Sequence, residues 1–176
     1  MPPFRRFVTG HAADGKSIFI LTDREPPTHA VGSGATRVTE LWETRSMPPD
    51  NAGHADAAER PFRLPPQPHG TVFRIVAYPP DAARNAVLRE QPVHNDAAEG
   101  YARDTGNAKH PGFHKTATLD YAIVLDGEIY ALMDEGEQRM QAGDVLVQRG
   151  TNHAWSNRTS DVVHVAFVLI DALPAP

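Results

Sequence analysis

The chain has 176 residues, with sixteen prolines, thirteen glycines, no cysteine and a formal net charge of -5. This length fits one domain with a sizeable core, the lack of cysteine excludes disulfide and thiolate chemistry, and the absence of a basic run argues against a nucleic-acid partner. No apolar stretch approaches the roughly 20 residues that cross a bilayer, and MPPFRRFVTG carries charge with no apolar segment behind it, unlike a secretory signal, so the expectation is a soluble, cytoplasmic protein.

In chain order, Arg5 to Val8 and Ser17 to Leu21 are strand-like runs on either side of Asp14-Gly15, a strong turn signal, and predict a hairpin. Arg24 to Gly34 is broken by Pro26-Pro27 and reads as a loop. Arg37 to Glu43 alternates, Val38, Glu40 and Trp42 against Thr39, Leu41 and Glu43, and reads as a strand. Ser46 to Pro68 is a polar loop in which Ala55 to Arg60 could form one helical turn. Thr71 to Tyr78 (TVFRIVAY) is a strand ended by Pro79-Pro80. Asp81 to Glu90 has helix formers with Asp81 as candidate N-cap. The polar remainder up to Pro111, with His94 and His110, reads as a lid or excursion.

After Phe113 the turn signals come at short intervals: Asp126-Gly127, Glu135-Gly136, Gly143-Asp144 and Arg149-Gly150. Between and after them lie Tyr121–Leu125, Glu128–Met133, Val145–Gln148, His153–Ser156 and Val162–Ile170. Short strands at this spacing predict an all-β antiparallel sandwich or barrel. The division expected is a single domain over 1–176, with N-terminal strands and loop over 1–70 and a barrel core over 71–172.

The chemistry gathers in Phe113 to Asn157. His114, Thr116, Thr118 and Asp120 share a strand parity, as do His153, Trp155 and Asn157. Two imidazoles and a carboxylate can bind a divalent first-row metal and leave positions open, or act as acids and bases without one. Thr116 reads as a β-former facing the cavity. Tyr121 and Trp155 either line a pocket or pack the core. Gln148 is either an amide supporting the site or a surface strand residue. His164 lies in an apolar strand and reads as structural. Nothing resembles a phosphate-cradling loop or a nucleophile elbow.

The spacing of these residues resembles the cupin superfamily, whose motifs run G-x5-H-x-H-x3,4-E-x6-G and G-x5-P-x-G-x2-H-x3-N. The first survives as His114-x-Thr116-x3-Asp120-x6-Gly127. The second survives as Gly143-Asp144, then Arg149-Gly150, then His153-x3-Asn157. The resemblance covers roughly residues 71 to 170. Thr116 stands at the second histidine and Asp120 at the glutamate. Ala108 stands at the opening glycine, with Gly106 and Gly112 out of register. The second motif is one residue short, with Arg149 at its proline.

The resemblance implies a double-stranded β-helix (jelly-roll barrel) with an N-terminal β extension, and a homodimer. It implies a divalent transition metal (Fe, Mn, Ni or Zn) on His114, Asp120 and His153, which would also be the catalytic set, with Thr116, Tyr121, Gln148 and Trp155 around the substrate. The expected function is a metal-dependent enzyme on a small aromatic or carbonyl acid, by dioxygenation, decarboxylation, isomerisation or lyase chemistry. The alternatives are a small-molecule binder without turnover and a metal-free acid–base protein using His114 or His153.

Overall fold

The computed structural model describes residues 4–23, 25–31, 36–90, 101–104, 106–107 and 109–174. Thirteen strands and one helix lie among them. The first two strands, β1 (Arg6–His11) and β2 (Ser17–Asp23), form a two-stranded sheet of their own. A six-stranded antiparallel sheet contains β3 (Thr28–Val31), β4 (Thr36–Thr44), β5 (Thr71–Tyr78), β8 (Thr118–Val124), β11 (Val145–Arg149) and β13 (Val163–Asp171), in the order β11-β8-β13-β5-β4-β3. A five-stranded sheet contains β6 (Tyr101–Arg103), β7 (His114–Thr116), β9 (Glu128–Met133), β10 (Glu137–Gln141) and β12 (His153–Ser156), in the order β10-β9-β12-β7-β6. The helix α1 spans Asp81–Glu90.

The core lies between the two larger sheets. On β5, period-two alternation sends Val72, Arg74, Val76 and Tyr78 inward. Val72 meets Val165 and Leu169 of β13 and Trp155 of β12 in one apolar cluster. Each fully buried side chain of this size contributes about 1.5–3 kcal/mol through lost water contact.

The alternation expected for β4 breaks after Glu40. A bulge makes Glu40 face Arg74 while Trp42 faces Phe73 and Glu43 faces Val72. One extra residue, Leu41, resets the parity, so Glu40 and Glu43 are both buried although three positions apart. Both carboxylates are paired. Arg74 Nη2 lies 3.0 Å and Arg60 Nη2 3.4 Å from Glu40. Glu43 takes Arg63 Nη2 at 2.7 Å, Arg45 Nε at 2.6 Å and Arg60.

Three local expectations need correction. Thr28–Val31, read as loop, is a strand because it pairs with β4 from Thr28↔Thr39 to Val31↔Thr36. Residues 55–60 form a single hydrogen-bonded turn rather than a helix: the Glu59 N–H donates to the Asp56 carbonyl at 3.3 Å, and the Asp56 carboxylate takes the Ala58 N–H at 2.9 Å, a local bond that competes with a helix. The N-terminal hairpin, expected as a β extension of the barrel, pairs with neither larger sheet: it is a sheet of its own. It docks through Arg6, which donates to the Leu41 carbonyl at 3.0 Å and to Asp56 at 2.6 Å and binds Asp23 within the hairpin at 2.5 Å. His94 lies outside the described residues. Among those described, no helix is long and apolar enough to cross a membrane.

Candidate functional site

His114 on β7 and His153 on β12 are direct register partners. Their ring centroids lie 4.4 Å apart, tilted by 50°. His114 Nδ1 lies 2.9 Å from the Gly112 carbonyl and His153 Nδ1 2.9 Å from the Thr151 carbonyl. A carbonyl oxygen only accepts, so Nδ1 carries a proton in both rings. His153 is 3% exposed. Burial, helped by the neighbouring His114, lowers its pKa to about 3, and its bond to Thr151 opposes this only in part. His153 is therefore neutral at pH 7.

Asp120 approaches from the opposite sheet. The chain crosses between sheets at Ala117, between β7 and β8. His114, Thr116 and Asp120 nevertheless all line one cavity. Asp120 is 5% exposed, and burial pushes its carboxyl up to about 6 against the Thr118 hydroxyl and the Arg74 charge. Its Oδ1 is buried with no hydrogen-bond partner among the described residues, a condition that native structures rarely leave unexplained.

The cavity measures about 60 Å³, room for a few waters or a small functional group. Tyr78, Trp155 and Phe167 supply aromatic wall, and Arg74 a cationic one. Trp155 stands edge-on to His153, 6.5 Å between centroids at 87°. Thr116 lines the cavity with its hydroxyl 2.8 Å from that of Thr118.

The predicted metal set assembles only in part. Among the described residues, no group of three or more His, Cys, Asp or Glu stands as a set that could hold a metal ion. The two imidazoles adjoin, while Asp120 shares their cavity from the facing sheet. The donor set therefore does not fit the three-ligand centre.

Tyr121 is corrected outright. It follows Asp120 on β8, so it faces the other way and is 44% exposed. Gln148 is buried and pairs in register with Asp120, but it supports the site from outside the cavity wall: its Nε2 donates to the Thr151 carbonyl at 3.0 Å. His110 faces away, its Nδ1 taking the Gly112 N–H at 3.0 Å and its Nε2 3.4 Å from Asp81. His164 binds Asp126 at 2.8 Å, a structural pairing. Asp126, read as a turn residue, also takes the His164 backbone N–H at 2.7 Å.

Arg74 escaped the sequence reading, although its parity with Val72 and Val76 in an apolar strand was a usable signal. The role of Asp81 was also missed. Its carboxylate accepts from Ser156 at 2.6 Å and from the Asn157 N–H at 3.2 Å, and Arg84 donates to the Trp155 carbonyl at 2.8 Å. The start of α1 thus holds the back of β12, whose front carries His153 and Trp155. Asn157 spans Tyr78 and Asp161 through its Nδ2, at 2.8 and 2.7 Å.

No protein-family model matches the chain. It is 32% identical to the phomopsin biosynthesis cluster protein D of Diaporthe leptostromiformis, over 96% of this chain and 79% of that protein. It is 29% identical to a cupin-domain-containing oxidoreductase of Hypocrea virens, over 96% of this chain and 76% of that one. Among solved structures, the cupin domain of Schizosaccharomyces pombe Cnp3 aligns over 95% of this chain and 87% of that one, with 9% identity and a TM-score of 0.46.

Proposed function

The chain belongs to the cupin superfamily, and from that premise we propose that it is a small enzyme performing acid–base chemistry on a small organic substrate, an aromatic or carbonyl acid, between its sheets. The observation that carries the reading is Asp120, a buried carboxyl with an unpartnered oxygen and a pKa of about 6 in the wall of the cavity. A base that titrates near the working pH is matched to taking and returning a proton. His153, neutral by burial, offers Nε2 as an acceptor that orients a substrate hydroxyl or enol. Trp155, Tyr78 and Phe167 present apolar surface to the rest of the substrate and exclude water. The oxidoreductase names of relatives such as that of Hypocrea virens support catalysis.

The test is deuterium exchange. A panel of aromatic and carbonyl acids, incubated with the protein in heavy water, should include compounds that gain deuterium at the carbon beside the carbonyl. Asp120→Asn should remove the gain. Exchange that survives the substitution, or a panel with none, would end the acid–base reading.

One observation favours a metal-assisted form as a second reading: the two imidazoles adjoin, each with Nδ1 on a backbone carbonyl, so a metal would have two nitrogen donors rather than the three-ligand set. Elemental analysis of protein purified without chelator separates the two. One equivalent of Fe, Mn, Ni or Zn, lost in His153→Ala, supports the metal form, and its absence after reconstitution removes it.

A further inference from the structure

We propose that Arg74 is the anchor for a carboxylate on the ligand of this cavity. The inference rests on the reading that the cavity takes a small organic molecule, and it adds the chemical group by which the molecule is held.

Arg74 is 2% exposed and forms part of the cavity wall. Three of its five N–H donors have evident uses or directions: Nη1 donates to the Leu64 carbonyl at 3.0 Å, and Nη2 donates to the Arg63 carbonyl at 2.9 Å and lies 3.0 Å from Glu40. Its Nε is buried with no partner among the described residues. A buried guanidinium N–H without an acceptor is costly, and a carboxylate is its best-matched acceptor.

The charge balance points the same way. Glu40 and Glu43 bring two negative charges into the interior. Arg60, Arg63 and Arg74 bring three positive ones in the same connected cluster. Arg45, also on Glu43, is largely solvated and adds to the positive side. Asp120, across the same cavity, adds a third negative charge only when its carboxyl is ionised, above about pH 6. With Asp120 protonated the cluster has an uncompensated positive charge, and Arg74, ion-paired to Glu40, is its member in the cavity wall. Burying a cation in excess of its partners is unfavourable unless a counter-charge arrives, and a ligand carboxylate supplies one. The cavity admits a carboxylate with a small substituent, and the Tyr78, Trp155 and Phe167 rings give the substituent an apolar wall. The ligand class is therefore a small monocarboxylic acid with an apolar or aromatic remainder.

The experiment uses the intact protein and two matched pairs, propanoate against propanamide and benzoate against benzamide. Binding is followed by NMR at the Trp155 indole and the Arg74 Nε–H. At least one acid should bind about tenfold more tightly than its amide, as loss of one charge-assisted hydrogen bond implies, and should shift both signals. Arg74→Lys keeps the charge facing Glu40 but loses the Nε–H. It should weaken the acid about tenfold and leave the amide unchanged, with the melting temperature as the check on folding. If that variant does not fold, the acid–amide comparison on the unmodified protein still decides.

Equal affinity for acid and amide overturns the anchor and leaves the acid–base reading standing. Acids that bind without shifting either signal, or bind nowhere, also overturn it. Tight acid binding at both signals, with no deuterium exchange in any compound, would instead remove the acid–base reading and keep the anchor.

Discussion

Gln148 and His153 donate to the same oxygen, the carbonyl of Thr151, at 3.0 and 2.9 Å. Gln148 is also the cross-strand partner of Asp120. One buried amide therefore stands between the two titrating groups of the cavity and fixes the turn that orients the imidazole. Gln148→Leu should cost about 1–2 kcal/mol, because the Thr151 carbonyl keeps one donor instead of two. It should also loosen the fixed Nδ1–H tautomer of His153, visible in the ring nitrogen shifts. Unchanged nitrogen shifts would show that the carbonyl is held by other means.

Asp120 and His153 pull stability in opposite directions with pH. The Asp120 pKa rises from 3.8 to about 6 on folding, so its contribution is full below pH 3.8 and is lost as pH rises through about 6. At 1.36 kcal/mol per unit the loss is about 3 kcal/mol. The His153 pKa falls from 6.5 to about 3, so its contribution is full above pH 6.5 and is lost as pH falls towards 3. Asp120→Asn should therefore be more stable than the parent at pH 7 and should lose stability more steeply between pH 6.5 and 4. Urea denaturation at pH 7 and pH 4.5 measures both, and parallel losses in the two proteins would refute the assignment.

Arg6 is the hairpin's main polar attachment among the described residues, reaching Asp56 and the Leu41 carbonyl outside the hairpin and Asp23 within it. Arg6→Met should cost about 2 kcal/mol, below the range for fully buried pairs because both carboxylates keep some water contact. Amide hydrogen exchange should rise across β1 and β2 and stay low in β5 and β13. A uniform rise would mean that the hairpin is not a separable unit.

Gly127 has φ +65, and an added Cβ would lie 2.8 Å from Val163 Cγ2. Both the backbone conformation and the contact oppose a side chain. Gly127→Ala should cost about 1–3 kcal/mol in thermal or chemical denaturation. A neutral effect would show that Val163 gives way and that the strain is small.

The outward face of the six-stranded sheet carries Tyr121, Ile123, Val145 and Val147, paired in register as Val145↔Ile123 and Val147↔Tyr121. Val145 is 71% exposed. Contiguous exposed apolar residues of this kind suit a second copy of the chain, in line with the expected homodimer. Val147→Glu should convert a dimer to a monomer in analytical ultracentrifugation. An unmodified protein that is already monomeric at high concentration would end this expectation.

Much of the barrel was legible because its strands end at glycine turns, and β5, α1, β9 and β12 have the bounds expected. His114, Asp120 and His153 share a cavity that their spacing anticipated. What stayed hidden depended on partners distant in sequence. Arg74 is tolerable inside an apolar strand only because Glu40 comes to meet it. β10, Glu-Gln-Arg-Met-Gln, has almost no apolar pattern and is a strand because β9 pairs with it throughout. Tyr121 was grouped with Asp120 by adjacency, which on a strand means opposite faces.

The bulge at Leu41 separates two inheritable traits of β4. Because Leu41 is the extra residue in the ladder, losing its codon would leave Glu40 and Glu43 on the same inward face, still opposite Arg74 and Val72. It would remove the carbonyl to which Arg6 docks and the side chain that packs with Ile75 and Ala166. Losing Leu41 would therefore loosen the N-terminal hairpin's hold on β4 while the interior charges keep their places.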